Sequence, residues 1–171
     1  ITYLPGRARF EADGSVTVDG QAQRAERYLI ATGGRPNMVE FPGFDEAEPL
    51  NSTTLMELEQ LPESLIILGG RAIAIELGQT MARFGVQVQI LQRNPRLLPD
   101  HEPIIGTSVK EILEGEGVSV ITGVRVERLE RAGDSRLVHT RVLGQPRQFR
   151  AEHILMALGR LPNTGDLDRK S

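Results

Sequence analysis

The feature that most constrains the fold is the run LIILGGRAIAIELG at residues 65–78. Four apolar residues lead into Gly69 and Gly70, and a helix-like pattern follows. This order is typical of a buried β-strand, a tight glycine turn and the first turns of an α-helix. In such a turn, backbone N–H groups at the start of the helix can hold a pyrophosphate. The run therefore predicts a dinucleotide-binding βα turn.

The turn departs from the G-x-G-x-x-G/A pattern at one position. Arg71 stands where the second glycine is usual, whereas Ala74 at the third position still permits close packing of helix against strand. The arginine side chain can contact a phosphate, obstruct the backbone, or point into solvent. The predicted phosphate-binding residues of the turn are Gly69, Gly70, Arg71, Ala72 and Ile73.

The end of the next predicted strand concerns the choice of cofactor. An Asp or Glu commonly binds the adenosine ribose there, but this chain has Gln92, followed by Arg93 and Arg96. A guanidinium suits a 2′-phosphate by its charge and its forked donors. The segment therefore favours NADP(H) over NAD(H), with a solvated loop as the alternative.

Hydrophobic periodicity predicts the α/β class: a Rossmann-like, mainly parallel sheet with a β-meander. Strands are expected over 64–68, 86–91, 118–121 and 153–158, and alternating residues from 124 to 149 indicate the meander. A helix after the glycine turn is expected to end near Gly85, and a second covers about 102–114. The residues expected to face the sheet are Ala74, Leu77, Met81, Phe84, Ile105, Val109, Ile112 and Leu113.

Three further elements are predicted outside this unit. Asp13-Gly14 between alternating residues indicates a β-hairpin over 8–18. The apolar run at 28–32 predicts a buried strand. Thr54, with Glu57 three residues later, predicts a short helix that Pro62 ends.

Composition excludes several functional classes. The net charge of −3 gives no basic field for nucleic acid or an anionic membrane, and no apolar run is long enough to span a bilayer. The absence of cysteine excludes disulfides and thiolate sites within the chain. The three histidines lack ligand spacing, so we expect no metal site. Without a signal peptide, a cytoplasmic location is expected.

Two segments resemble each other, ATGGRPN at 31–37 and ALGRLPN at 157–163, and they bracket the βαβ unit. With the glycine turn, they make the chain resemble the pyridine nucleotide–disulfide oxidoreductases, flavoproteins with two dinucleotide-binding domains. In that family an NAD(P) domain is inserted into an FAD domain. The resemblance implies that residues 1–42 belong to the interrupted FAD domain, 43–157 form the NAD(P)-binding domain and 158–171 return to the FAD domain.

Within the family, the chain resembles the mercuric reductases, which also lack glycine at the second position of the turn and have a small residue, here Ala72, next. This implies an NADPH-binding fragment of an FAD-dependent enzyme that reduces Hg(II). The alternatives are a dihydrolipoamide dehydrogenase or transhydrogenase-like fragment, and a non-catalytic, degenerate dinucleotide-binding module. The resemblance also implies that Val124 lies near adenine, that Glu76 supports a flavin-side lysine, and that Gly159 closes the nicotinamide end.

The resemblance further implies what lies outside this segment in the family. The FAD phosphate turn and the redox cysteines lie upstream, and the dimerisation domain lies downstream. The expected partners are NADPH and the rest of a homodimeric parent flavoprotein, with FAD bound only in the parent. We expect the isolated chain to contain no catalytic residue, bind no FAD and show no turnover.

Overall fold

The computed structural model describes residues 1–165 and residue 167. Contacts divide them into a larger unit, residues 36–159, and a smaller unit, residues 1–35 with the described residues from 160 onward. In chain order, the elements are β1 (Ala8–Phe10), β2 (Val16–Val18), β3 (Gln21–Gln23), β4 (Gly34–Pro36), α1 (Phe44–Ala47), β5 (Ser64–Leu68), α2 (Ala72–Arg83), β6 (Gln87–Gln92), α3 (Pro103–Gly115), β7 (Ser119–Thr122), β8 (Val124–Ala132), β9 (Ser135–Val142), β10 (Gln145–Ala151), β11 (His153–Met156) and β12 (Arg160–Pro162).

The larger unit is built on a four-stranded parallel sheet with the order β11-β5-β6-β7. The surroundings of strand β5 explain why its sequence is almost continuously apolar. Leu65 and Ile67 pack with residues of α2 and α3, whereas Ile66 and Leu68 pack with residues of the antiparallel strands β8–β10. Both faces of the strand are therefore covered, as a parallel sheet requires. The predicted α/β fold with a mainly parallel sheet is confirmed.

The predicted meander is also confirmed. Strands β8, β9 and β10 form an antiparallel sheet, with a bulge between Val126 and Arg128. Arg136, only 8% exposed, donates hydrogen bonds to the carbonyl oxygens of Ala47 (3.2 Å), Asp134 (3.1 Å) and Glu152 (3.1 Å). One guanidinium thus connects the meander to α1 and to the residue before β11.

The two long helices occur as predicted, and Ala74, Leu77, Met81, Val109 and Leu113 pack in the core as expected, but the other three predicted residues do not. Phe84, Ile105 and Ile112 are 63%, 41% and 55% exposed. Gly78 and Gly106 are buried instead, and a Cβ on Gly106 would lie 2.3 Å from the Leu97 carbonyl oxygen. The helices therefore approach the core closely at these two glycines, which a periodicity of large apolar residues does not reveal.

The predicted helix from Thr54 to Pro62 is wrong, because this segment forms consecutive turns. The Asn51 side chain accepts hydrogen bonds from the backbone N–H groups of Thr53 (2.8 Å) and Thr54 (3.1 Å). The Thr54 hydroxyl in turn accepts one from the Asn51 N–H (2.9 Å). Asn51 is therefore the capping residue. After it, the backbone N–H groups of Met56 and Glu57 bond to carbonyl oxygens three residues earlier, and the turns do not continue into a helix.

In the smaller unit, the predicted hairpin is confirmed: β1 pairs with β2 in antiparallel register, with Phe10 opposite Val16. The predicted buried strand over 28–32 is wrong. These residues form no strand, and Leu29 is 92% exposed. A strand with apolar residues on both faces needs neighbouring strands and cover, and the described residues provide neither there. The Tyr28 ring instead packs edge-on against Phe10, with centroids 5.3 Å apart.

Candidate functional site

The larger unit contains a cleft of about 760 Å³ at the carboxyl ends of its four parallel strands. Its lining comprises residues 68–71 at the end of β5, 91–94 at the end of β6, 124–126 just beyond β7 and 157–159 just beyond β11, together with Asn37, Val39 and Phe41. Ligands of open α/β sheets bind at this edge, where the strand order reverses. Here the reversal lies between β5 and β11, beside the glycine turn.

The glycine turn fits tightly between the ends of β11 and β6. Gly69 has φ +128°, and a Cβ there would lie 2.4 Å from the Ala157 carbonyl oxygen. A Cβ on Gly70 would lie 2.8 Å from side-chain carbons of both Gln92 and Leu97. Gly69 therefore requires glycine independently of any ligand, because its φ is positive and the Cβ would meet backbone. At Gly70 a Cβ would force the Gln92 and Leu97 side chains to shift.

Helix α2 begins directly after this turn, with Arg71 as its N-cap residue. The Arg71 backbone is extended, and its side chain makes no capping hydrogen bond. The first backbone N–H groups of a helix lack partners within the helix, and here no side-chain cap takes their place. The start of α2 thus offers donors beside the cleft, and the helix dipole favours an anion there.

The Arg71 side chain has a contact that the sequence interpretation missed. Its Nη1 lies 2.7 Å from Oδ2 of Asp100, and its Nη2 lies 3.3 Å from Oδ1. The two side chains are 60% and 59% exposed. Asp100 is 29 residues away in sequence, with no motif linking it to the turn. The guanidinium is therefore paired with a carboxylate rather than simply solvated.

Gln92 and Arg96 make hydrogen bonds within their own loop. The buried Gln92 amide donates to the Arg96 carbonyl oxygen (3.3 Å) and accepts from the Arg93 N–H (3.0 Å). The Arg96 guanidinium donates to the carbonyl oxygens of Pro99 (2.9 Å) and His101 (3.4 Å), and Arg96 does not line the cleft. Of the two arginines assigned to a 2′-phosphate, only the exposed Arg93 lines it.

Some of the predicted site residues line the cleft and others do not. The predicted residues that line the cleft are Gly69, Gly70, Arg71, Gln92, Arg93, Val124 and Gly159. The others, besides Arg96, lie on α2 outside the lining. Ala72 and Glu76 are exposed, and Ile73 packs against the core between the sheet and the helices.

Arg125 is a further lining residue that the sequence did not identify. It occupies an outward position of the alternating meander pattern and so looked like an ordinary surface residue. With Arg71 and Arg93 it gives the cleft three arginines, whereas the lining includes no carboxylate. Within the described residues, neither Arg93 nor Arg125 has an ion-pair partner. In a chain of net charge −3, this edge of the sheet is locally cationic.

The described part of the chain has neither a metal-binding cluster nor a membrane-spanning helix. No group of three or more His, Cys, Asp or Glu residues there is arranged to hold a metal ion. No helix among those residues combines the length and apolar character needed to cross a membrane.

Comparison with known proteins identifies the family. The family model described as "Pyridine nucleotide-disulphide oxidoreductase" matches residues 1–171. The chain belongs to this family. The Rossmann-like arrangement of the sheet and the glycine turn agree with membership of these flavoprotein oxidoreductases.

Curated and solved relatives add detail. The mercuric reductase of Staphylococcus aureus is 37% identical over 168 residues, covering 98% of this chain and 31% of that relative. The dihydrolipoyl dehydrogenase of Bacillus subtilis (strain 168) is 32% identical over 173 residues, covering 98% and 36%. The HOCl-induced flavoprotein disulfide reductase RclA from Escherichia coli matches with a TM-score of 0.80 at 32% identity, covering 95% of this chain and 37% of that chain. The chain spans about a third of the length of the curated relatives it matches.

The two similar segments of this oxidoreductase sequence make equivalent backbone contacts. In the larger unit, the Asn37 N–H donates to the Gly159 carbonyl oxygen (3.0 Å); in the smaller unit, the Asn163 N–H donates to the Gly33 carbonyl oxygen (3.0 Å). Both glycines have positive φ, +105° at Gly159 and +68° at Gly33. The sequence similarity therefore reflects a shared local conformation in which glycine is favoured.

Proposed function

We propose that the chain binds NADPH in the cleft, and that the larger unit is the nicotinamide-nucleotide domain of a longer FAD-dependent oxidoreductase. The observation that carries this proposal is the charge of the cleft. Three arginines and no carboxylate line the edge of the sheet where the glycine turn meets the start of α2. A dinucleotide with a 2′-phosphate is a polyanion, and it complements such a surface.

The residues present fit this group. The cleft volume of about 760 Å³ lies within the roughly 300–1,000 Å³ typical of ligand sites. We assign the pyrophosphate to Gly69, Gly70, Arg71 and the first N–H groups of α2, at Ala72 and Ile73. We assign the adenosine end to Gln92, Arg93 and Val124, and the nicotinamide end to Gly159 and Glu76. When bound, NADPH would supply a hydride to the parent's flavin, and this chain's part is to bind and orient it.

The preference for NADPH over NADH rests on Arg93 and Arg125. Arg93 follows β6, where the adenosine ribose is expected, and its guanidinium has no carboxylate partner within the described residues. Arg125 lines the same cleft from β8. Arg96 stays a predicted 2′-phosphate ligand only if its contacts with Pro99 and His101 break on binding, so we place it second to Arg93.

For the parent, we propose a mercuric reductase that passes electrons from NADPH through FAD to Hg(II). Support comes from the mercuric reductase of Staphylococcus aureus at 37% identity, compared with 32% for the dihydrolipoyl dehydrogenase of Bacillus subtilis. The predicted division into 1–42, 43–157 and 158–171 belongs to this proposal, as do a homodimeric parent and a cytoplasmic location. Assays of Hg(II)-dependent NADPH oxidation by the full-length parent test the substrate.

The cofactor is tested by calorimetric titration of the chain with NADPH and NADH. We expect NADPH to bind more tightly, and Arg93→Ala to weaken NADPH by roughly tenfold, because a charge-assisted hydrogen bond contributes about 1.5–3 kcal/mol before losses to solvent. NADH affinity should change little, since it lacks the 2′-phosphate. Equal affinities for the two nucleotides, or an unchanged ratio in Arg93→Ala, would contradict the assignment.

The same sample tests the remaining expectations. A visible spectrum without flavin absorbance, and no NADPH oxidation, is expected of the isolated chain because its site includes no flavin-binding turn or redox cysteine. If neither nucleotide binds, the alternative of a degenerate, non-catalytic module is favoured instead.

A further inference from the structure

The ion pair between Arg71 and Asp100 lies where the proposed nucleotide would place its phosphates. Asp100 contacts both terminal nitrogens of Arg71, at 2.7 and 3.3 Å, so the carboxylate faces the end of the guanidinium. Arg71 lines the cleft and caps α2, while Asp100 lies outside the lining. Of the three cleft arginines, Arg71 alone has a carboxylate partner within the described residues.

The segment that carries Asp100 is held firmly. Arg96 donates to the carbonyl oxygens of Pro99 and His101, the residues on either side of Asp100. The Leu98 N–H donates to the carbonyl oxygen of Gly70 (2.8 Å), directly before Arg71. Asp100 is therefore positioned against the glycine turn by backbone contacts, in addition to its ion pair. Arg96 acts here as a positioning residue for this loop.

We propose that Asp100 competes with the nucleotide's phosphates for the Arg71 guanidinium, and thereby lowers the affinity of the cleft for its cofactor. The inference rests on the proposed function. A carboxylate that faces both terminal nitrogens occupies the donors that a phosphate takes in a bidentate contact. Its negative charge also repels an incoming pyrophosphate. Both effects lower the affinity. When the nucleotide binds, Arg71 exchanges Asp100 for a phosphate.

The Asp100 carboxylate alters what Arg71 contributes to the charge of the cleft. The arginine replaces a glycine of the usual turn, and without Asp100 it would add a free cation at the pyrophosphate. With Asp100 beside it, part of that added attraction is cancelled in the unbound protein. The pair therefore sets how tightly the nucleotide is held, while Arg93 and Arg125, which have no such partner within the described residues, keep their full charge for the ligand.

The test is calorimetric titration of NADPH into the full chain and its variants at low ionic strength, where charges are least screened. Asp100→Asn should tighten binding by about twofold to fivefold, the range expected from releasing an exposed ion pair. Glu111→Gln is the matched control, because it makes the same change in net charge on the exposed surface of α3. It should leave the affinity unchanged. Asp100 is exposed, so the fold should persist, which circular dichroism checks.

The double variant Arg71→Ala/Asp100→Asn separates competition for Arg71 from a general charge effect. Compared with Arg71→Ala alone, it should show less tightening than Asp100→Asn shows in the wild-type chain, because only the repulsion between Asp100 and the pyrophosphate is then removed. Equal tightening with and without Arg71 overturns the proposal, as does unchanged or weaker binding by Asp100→Asn while the wild-type chain binds NADPH. Those results leave the proposed function standing. Failure of every variant to bind NADPH would overturn the proposed function and this inference together.

Discussion

Two arginines that lie opposite each other in the meander differ in what their side chains contact. Arg125 on β8 pairs in register with Arg141 on β9. Arg141 contacts Glu127 (2.7 Å) and donates to the Gly144 carbonyl oxygen (3.1 Å). Arg125 lines the cleft and has no ion-pair partner within the described residues. The meander arginines at 128, 131 and 136 also have carboxylate or carbonyl partners.

The difference separates arginines whose charge is compensated within the chain from arginines whose charge is not. The charges of the paired arginines are compensated within the chain, and Arg136 also connects the meander to Ala47 and Glu152. Unpaired arginines at the carboxyl ends of the strands keep their charge, which is available to an anionic ligand. The sequence shows only that the meander is rich in arginine. The contacts in the folded chain decide which arginines have a compensated charge and which do not.

The largest expected effect is on stability, at Arg136, the most buried of the paired arginines. Arg136→Met should lower the free energy of unfolding by about 2–4 kcal/mol, because carbonyl oxygens of three residues lose a charged donor inside the protein. Arg128→Met, which removes an arginine that is 49% exposed, should cost at most about 1 kcal/mol. Urea denaturation of both variants measures this. Similar losses would mean that Arg136 contributes no more to the free energy of unfolding than an exposed arginine does.

The second prediction concerns the opposed pair itself. Arg125→Ala should weaken NADPH binding by roughly tenfold, the effect of losing one charge-assisted contact. Arg141→Ala should leave the affinity unchanged, although it removes the same charge one strand away. Calorimetry at two salt concentrations checks both, since the Arg125 effect should shrink as salt rises. Equal weakening by the two variants would show that overall charge, rather than pairing, governs binding.

The smallest effect is a pH dependence beside Arg136. Burial lowers the pKa of His153 from its ordinary 6.5, the Arg136 charge lowers it further, and Glu152 opposes the shift. The unfolded chain therefore binds the proton more readily, so the His153 contribution to stability is present above pH 6.5 and is lost as pH falls through the lowered pKa. His153→Asn should flatten the decline of urea midpoints between about pH 7 and 5. A decline of unchanged steepness would remove His153 as its cause.

Several parts of the fold could be predicted because their signals are local. The apolar run of β5, the glycines at 69 and 70 and the alternation in the meander each lie within consecutive residues. Each of them matches one backbone geometry. The cleft follows from topology, since parallel strands bring their carboxyl ends to one edge. The apolar run at 28–32 misled the prediction because burial depends on neighbours, which the run itself does not encode.

By itself, the sequence determined the α/β class, the position of the glycine turn and the family to which its motifs belong. Only the tertiary structure decided which charges are free. In the folded chain, Asp100 forms an ion pair with Arg71, 29 residues away. Arg96 donates to a carbonyl oxygen of its own loop, and Arg125 lines the cleft. The physical reason is that a charged side chain's role depends on its partner, and partners distant in the chain are set by the packing of the sheet rather than by any local pattern.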